Sequence, residues 1–503
     1  MLNKLIILCA LSICVLSVSA STHLGNAFVG DSDGVIYVSP DGTGDGSSPN
    51  SPLGSMEQAI IKSNPNGIIK VLKGLYKGDA HTNLGIDKNL SIEGDEETVF
   101  DGEGKSFIFM ANTEGINVNV SGITFKNANS AYGPAYHGYA SINHLKNCVF
   151  EGNNADVGAG ATGFSNAVAI LENCTFNGND AKSFAGATSS WVGSNVTLIG
   201  CTYENNAVDL NGACIFAQGS NFTSINSTFK NNKAGVSGII YADGDAKVNI
   251  LKTVFENNSV ETDGGAVYIE NGKLDVSGSQ FYANNANDGG AIFAFSSSVN
   301  VSNSDFTNNH ASNGGAISIN SKSSVNIDSS NFINNSAEVD GGAIHIQESS
   351  LKDNSSIYYN NSATGDGGTI FSKKSSINTF GSDFLNNKAN NGGALSINSG
   401  SIYIIVAVFR NCIANSNGGA IDNQLGLLHI NASMFENNEA INGIGGAINH
   451  NHTQLHNIIL EGNTIQSNSA INGGGIATNK EIDKIWENLI ENNRPNDVFV
   501  YNS

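Results

Sequence analysis

The chain has 503 residues, of which only 14% are charged, and a formal net charge of −21. Typical soluble chains carry about 25% charged residues; Asn, Ser, Thr and Gly fill the surface positions here instead. So acidic a balance excludes nucleic acid and anionic lipid as natural partners, and 24 Phe against 6 Pro exclude a disordered low-complexity tract.

Residues 1–20 read as a signal peptide. Lys4 supplies the positive end, Leu5 to Leu16 form an apolar run of twelve residues, and Val18, Ser19 and Ala20 offer a small-residue cleavage site. Cleavage removes Lys4 and leaves 23 basic against 45 acidic residues, a net charge of −22. The run is too short to cross a bilayer comfortably, and no later stretch approaches eighteen apolar residues. A secreted, extracellular chain without a membrane span is expected.

Residues 21–110 are expected to hold an N-terminal cap and the first coils. Ser55-Met-Glu-Gln58 has the spacing of a capping box before Ala59, Ile60 and Ile61, which predicts a short helix across the open end.

Residues 111–478 are a repeat. One tetrapeptide is Gly-Gly-Ala-aliphatic, as in Gly264-Gly-Ala-Val267, Gly314-Gly-Ala-Ile317 and Gly418-Gly-Ala-Ile421. The other is aromatic-x-x-Asn, as in Phe150/Asn153, Phe229/Asn232, Phe332/Asn335 and Phe435/Asn438, with Phe409 followed by Cys412 and with Leu460 closing the series. Successive aromatics from Phe125 onward are 25, 26 or 27 residues apart. Within a unit, apolar and polar residues alternate and Gly, Asn and Ser punctuate the corners, the pattern of short strands. A period near 26 without a helical face predicts one all-β domain, a right-handed parallel β-helix of about fourteen stacked coils with short capping helices at its ends. Each residue then sits over its counterpart one coil below at about 4.8 Å. Inward Phe residues form an aromatic column, the Asn three places later joins an amide ladder and tolerates left-handed backbone, and stacked like charges are avoided.

Residues 479–503 are expected to form a C-terminal cap. Ile482, Ile485, Trp486, Leu489 and Ile490 fall on one helical stripe, and Val498 to Tyr501 suit a final strand.

The two alternating tetrapeptides resemble the repeat of chlamydial polymorphic outer-membrane proteins over roughly residues 120 to 475. The opening Val35-Ile-Tyr-Val-Ser-Pro-Asp-Gly resembles that of pectate-lyase-like β-helix proteins. The first resemblance implies an adhesin. The second implies a fold that also hosts polysaccharide lyases and glycoside hydrolases.

Candidate chemistry is sparse. Gly-His-Gly and Arg-x-Lys segments of polygalacturonases are absent, and the two arginines are Arg410 and Arg494. Arg410 and Glu436 are expected to pair across coils, and Glu204, Lys230 and Glu256 to form a charge ladder. Asp263 with Asp288, and Asp340 with Asp366, occupy equivalent corners of adjacent coils; calcium between such carboxylates is the candidate cofactor, against a plain turn role like that of Asn313. His450 and His452 alternate on one strand near His456, more as polar strand residues than as a zinc site. Cys148, Cys174 and Cys201 should stack on successive coils, where one disulfide pair or a thiol column is equally compatible with the spacing. Asn173, Asn195 and Asn221 sit in glycosylation acceptor sequences. Tyr132, Tyr136, His137 and Tyr139 form an aromatic-rich rung suited to a sugar platform. The expected function is a secreted, non-enzymatic scaffold for adhesion, matrix assembly or glycan contact, with an extracellular glycan or cell-surface protein as partner. A polysaccharide lyase or glycoside hydrolase is the alternative.

Overall fold

The computed structural model describes residues 34–95, 97–452, 458–479, 482 and 484–501. The leader and His456 lie outside the described residues. One coil shows how every coil is made. Ile317–Asn320 is its first strand, Ser324–Asp328 its second, Asn331–Ile333 its third, and the two-residue strand Ser336–Ala337 closes it. All pairing between coils is parallel and nearly in register, so the chain is a parallel β-helix. First and second strands share a sheet of 32 strands, and third strands stack into a ladder of 17. No helix among the described residues is long and apolar enough to cross a membrane.

Alternation decides which side chains enter the core. Ile317 and Ile319 point inward and are fully buried, as are Val325, Ile327 and Phe332. The third-strand aromatics form one continuous column from Tyr76 to Phe435, with ring centroids 4.3–6.2 Å apart. Burying each ring contributes about 1.5–3 kcal/mol, so stability accumulates coil by coil.

Beside this column runs the asparagine ladder. From Asn153 to Asn387 each side-chain Nδ2 donates to the Oδ1 of the next coil at 2.9–3.2 Å, as Asn335 does to Asn361 at 3.0 Å. The same Nδ2 of Asn335 also donates to the carbonyl of Phe306 at 2.9 Å. A carboxamide both donates and accepts, so translation by one coil satisfies every member. Cys412 interrupts the ladder, but its backbone N–H still donates to Asn438 Oδ1 at 2.9 Å.

Four expectations are corrected. First, left-handed backbone falls one residue before the ladder, at Asn205, Asn231 and Asn334 (φ about +55°), so the turn and the ladder use different asparagines. Second, Leu460 is not the next member of the column: Phe435 pairs with Ile465, 30 residues on, and Leu460 pairs with Ile430 on the second strand. Extra residues between Asn451 and Ile458 lengthen that coil. Third, the ladder counts 17 rungs rather than about fourteen, because Tyr76 and Phe100 precede Phe125 and the aliphatic Ile465 and Ile490 end the column. Fourth, the C-terminal stripe is not a helix. Lys484–Trp486 and Leu489–Glu491 are strands of a last coil, separated by Glu487 at φ 53°. Two short strands across a tight turn place apolar residues three and four apart just as a helix does, and open strand edges from the preceding coil stabilise the strands. Trp486 is 59% exposed, not a buried lid.

The N-terminal helix forms as expected. Helix α1 (Met56–Lys62) buries Met56, Ala59 and Ile60 against the first coils, and Ser55 Oγ accepts from the Gln58 N–H at 3.2 Å. The final strand Val498–Val500 pairs with Ile476–Thr478.

Candidate binding site

The residue between the two inward positions of each first strand points outward, and these outward residues stack as a second column. In its middle, Phe216, Tyr241, Tyr268 and Phe293 stack with centroids 5.0–5.3 Å apart and nearly parallel planes. Such rings cover one another's faces and offer solvent only their edges, so this stack seals backbone rather than receiving a ligand.

The stack opens at its N-terminal end. Going down the column from Phe216, the outward residues become Ser189, Gly163 and His137. Phe184 leans in from the corner and Trp191 from the strand end. Their rings meet perpendicularly at 4.9 Å, both contact Phe216, and Tyr132 stacks on Phe184 at 6.1 Å. Phe184 fits because its ring lies over Gly158, where a Cβ would approach within 2.1 Å of the ring.

Beneath these rings the column carries glycine at Gly163, and the His137 ring closes against its backbone. A Cβ placed on Gly163 would lie 2.8 Å from His137 Nδ1 and 3.4 Å from Ser189 Oγ. Neither polar atom has a hydrogen-bond partner, although Ser189 is 1% exposed. Asn211 Oδ1, one coil beyond Phe184 on the corner, is unpartnered as well. Burial lowers the His137 pKa, which keeps the ring neutral at physiological pH. Leaving buried polar groups unsatisfied costs about 1–3 kcal/mol each. What this region offers a guest is its partly exposed aromatic surface, led by Tyr132 and Tyr139.

Of the four residues expected to platform a sugar, three are on this surface. Tyr132 and Tyr139 are 45% and 53% exposed, and His137 packs over Gly163 beside them. Tyr136 is not available: strand alternation turns it inward, fully buried, with its hydroxyl donating to Asn143 Oδ1 at 2.7 Å. Sequence reading missed Phe184, Ser189 and Trp191. The available signal was the departure of Phe184-Ala-Gly-Ala-Thr188 from the usual Gly-Gly-Ala-aliphatic corner.

The remaining candidates are distributed along the solenoid. Asp263 and Asp288 are bridged neighbours. Burial, reinforced by Asp288, pushes Asp263 up to about 6. Asp288 accepts from Asn313 Nδ2 at 2.8 Å, Asp366 from Asn391 Nδ2 at 2.9 Å, and Asp340 from the Asp366 N–H at 2.8 Å. Each adjacent pair of acids is thus followed up the corner by an asparagine; among the described residues no group of three His, Cys, Asp or Glu side chains could hold a metal ion. Cys148, Cys174 and Cys201 are stacked, buried and free, and the column continues as Ser227, whose Oγ accepts from the Cys201 N–H at 3.1 Å. Asn173, Asn195 and Asn221 are exposed. Arg410 pairs with Glu436 at 2.8 Å and Lys230 with Glu256 at 3.2 Å. His450 is an interior residue whose Nδ1 bonds Asn423 Nδ2 at 2.8 Å.

Comparison with known proteins adds the following. The Chlamydia polymorphic membrane protein repeat matches residues 252–270, 303–320 and 329–347. No curated protein matches the chain in sequence. Among solved structures, PfbA, a surface adhesin of Streptococcus pneumoniae, is similar at 14% identity and a TM-score of 0.35, covering 70% of this chain and 91% of its own. Pectate lyase Pel9A is similar at 15% identity and a TM-score of 0.20, with 78% of each chain covered. The PL6 family alginate lyase AlyGC is similar at 9% identity and a TM-score of 0.18, covering 93% of this chain and all of its own.

Proposed function

We propose that this protein is exported and acts outside the cytoplasm as a non-enzymatic, glycan-binding scaffold, with the aromatic surface of Tyr132, Tyr139, Phe184 and Trp191 as its glycan contact. The observation that carries this reading is the cluster of aromatic rings, with Trp191 against Phe184 at 4.9 Å and Tyr132 stacked on Phe184 at 6.1 Å. A pyranose suits such a cluster, because its C–H face packs on an aromatic ring. The matched repeat is that of a membrane protein, which fits a surface location, and an apolar leader fits export.

Binding is favoured over cleavage by the same geometry. His137 and Ser189 do not hydrogen-bond each other, so the imidazole does not activate the hydroxyl as a nucleophile. Retardation in affinity gels cast with acidic and neutral polysaccharides, alongside a reducing-end assay, tests the reading. Retention is expected, and Trp191→Ala should weaken it about tenfold or more, equivalent to roughly 1.4 kcal/mol, with circular dichroism confirming that the variant keeps its fold. Release of reducing ends, or no retention on any polysaccharide, would overturn it.

A further inference from the structure

Two adjacent coils break the rules of the repeat in their interior. One inward column of the second strand runs Ile327, Asp353, Thr379, Ile404, so an acid and a hydroxyl stand where its neighbours are aliphatic. On the third strand Tyr358 takes a place between Phe332 and Phe384, and on the first strand Ser372 sits between Ile346 and Ile397. Asp353, Tyr358, Ser372 and Thr379 are all buried, Asp353 at 1% exposure. Four polar groups therefore gather in two coils of a core that is aliphatic or aromatic at the same positions on either side.

The hydrogen bonds of Asp353 are one-sided. Its Oδ2 accepts from Thr379 Oγ1 at 2.9 Å and from Ser382 Oγ at 2.7 Å. Its Oδ1 has no partner, and neither has the Tyr358 hydroxyl, which interacts with the same carboxyl. No cation compensates a charge here. Strand alternation turns Asp328, Lys352, Lys373 and Asp383 outward, which leaves Tyr358 as the titratable side chain facing Asp353 from the elements packed against it. A buried carboxyl without a counter-charge keeps its proton rather than meet the cost of desolvating a charge.

We infer that Asp353 is a proton-operated latch in the core: held as a neutral acid, it donates from Oδ1 to Tyr358 Oη and keeps the coils of Ser350–Asn354 and Ile370–Phe380 closed, and its ionisation loosens them. With Oδ2 already accepting twice, Oδ1 is the oxygen left to carry the proton, and the phenol oxygen is the acceptor beside it. Burial raises the Asp353 pKa, and burial together with the Asp353 charge raises that of Tyr358, so the phenol stays protonated throughout. A folded value above the unfolded one fixes the sign. The contribution of the latch is whole below about pH 4 and is lost as pH rises through the folded value. Acid closes it.

Infrared difference spectra and hydrogen exchange on the full secreted chain test the inference. At pH 5 the wild type should show a protonated carboxyl band that Asp353→Asn lacks. Exchange corrected for intrinsic rates should report opening of residues 350–358 and 376–384 that rises about tenfold per pH unit above about pH 4 until the folded value is passed. In Asp353→Asn that pH dependence should disappear from these two segments. Where the Asn variant does not fold, Asp353→Ile, which restores the residue of Ile327 and Ile404, takes its place in both measurements. Absence of the carboxyl band, or opening with the same pH dependence in wild type and variant, overturns the proposal.

Discussion

Coils 298–328 and coils 370–431 share an aromatic column and an asparagine ladder, which Cys412 interrupts in the second, yet their surfaces and interiors differ. In the first region the second strand shows solvent Ser298, Asn300 and Ser302, and its inward column is uniformly aliphatic at Val299, Val301 and Ile327. In the second region the outer face turns apolar at Phe380 and Ile405 while the interior turns polar. Asp353 enters the core just before it and accepts from Thr379 Oγ1 at 2.9 Å and Ser382 Oγ at 2.7 Å, and Ser372 and Asn423 replace aliphatic residues of the first strand. Within a solenoid each position answers mainly to its neighbours one coil away. Two or three coils can therefore change chemistry together while the backbone path persists. The two shared ladders hold both regions in one register.

The largest effect is expected from attacking what the regions share. Asn335→Ala removes the acceptor for the backbone N–H and Nδ2 of Asn309, both at 3.0 Å, and the donor to Phe306 and Asn361. Two buried donors of Asn309 are left unpaired, so a loss of about 4 kcal/mol is expected in denaturant titrations, with glycan retention lost only where the chain unfolds.

Acidity separates the regions next. Burial raises Asp422 to about 6, and Asp263 in an earlier coil also to about 6, against an ordinary 3.8. Raised folded-state values mean that the folded chain holds protons the unfolded chain releases. Their contribution is fully present below about pH 4 and disappears as pH rises through about 6. The melting temperature should therefore fall between pH 4 and pH 6.5. Asp422→Asn should flatten much of that slope and gain on the order of 2 kcal/mol at pH 7, whereas Asp263→Asn, at a partly exposed corner, should have a smaller effect. A slope unchanged in Asp422→Asn would show that its environment is not the source.

Val406→Gly gives the smallest and most discriminating change. Glycine adopts φ 57° without strain, so stability should rise by about 1 kcal/mol in thermal unfolding. Equal or lower stability would mean that the valine side chain contributes within the monomer.

Much of the fold is readable from spacing alone. Phe306, Phe332 and Tyr358 announce the column because a residue repeated every coil must meet itself, and the Arg410–Glu436 pair follows from the same register. At the ends the reading fails. Ile465 and Ile490 continue the column without an aromatic signature, and Leu489 and Ile490 mimic a helical stripe although the last open strands template more strand. The binding site was half legible: Tyr132, His137 and Tyr139 stood out by composition, but Tyr136 faces inward by one position of alternation, and Phe184, Ser189 and Trp191 join them only across coils.

By itself the sequence determined the period, the inward columns and the ladders of this protein, because parallel stacking converts a local pattern into contacts between identical positions. Only the tertiary structure decided which outward side chains become neighbours and which turns carry Val406 and Leu425 in left-handed backbone. Those features depend on how adjacent coils lean on one another, a relation between residues some 26 positions apart that no local pattern encodes.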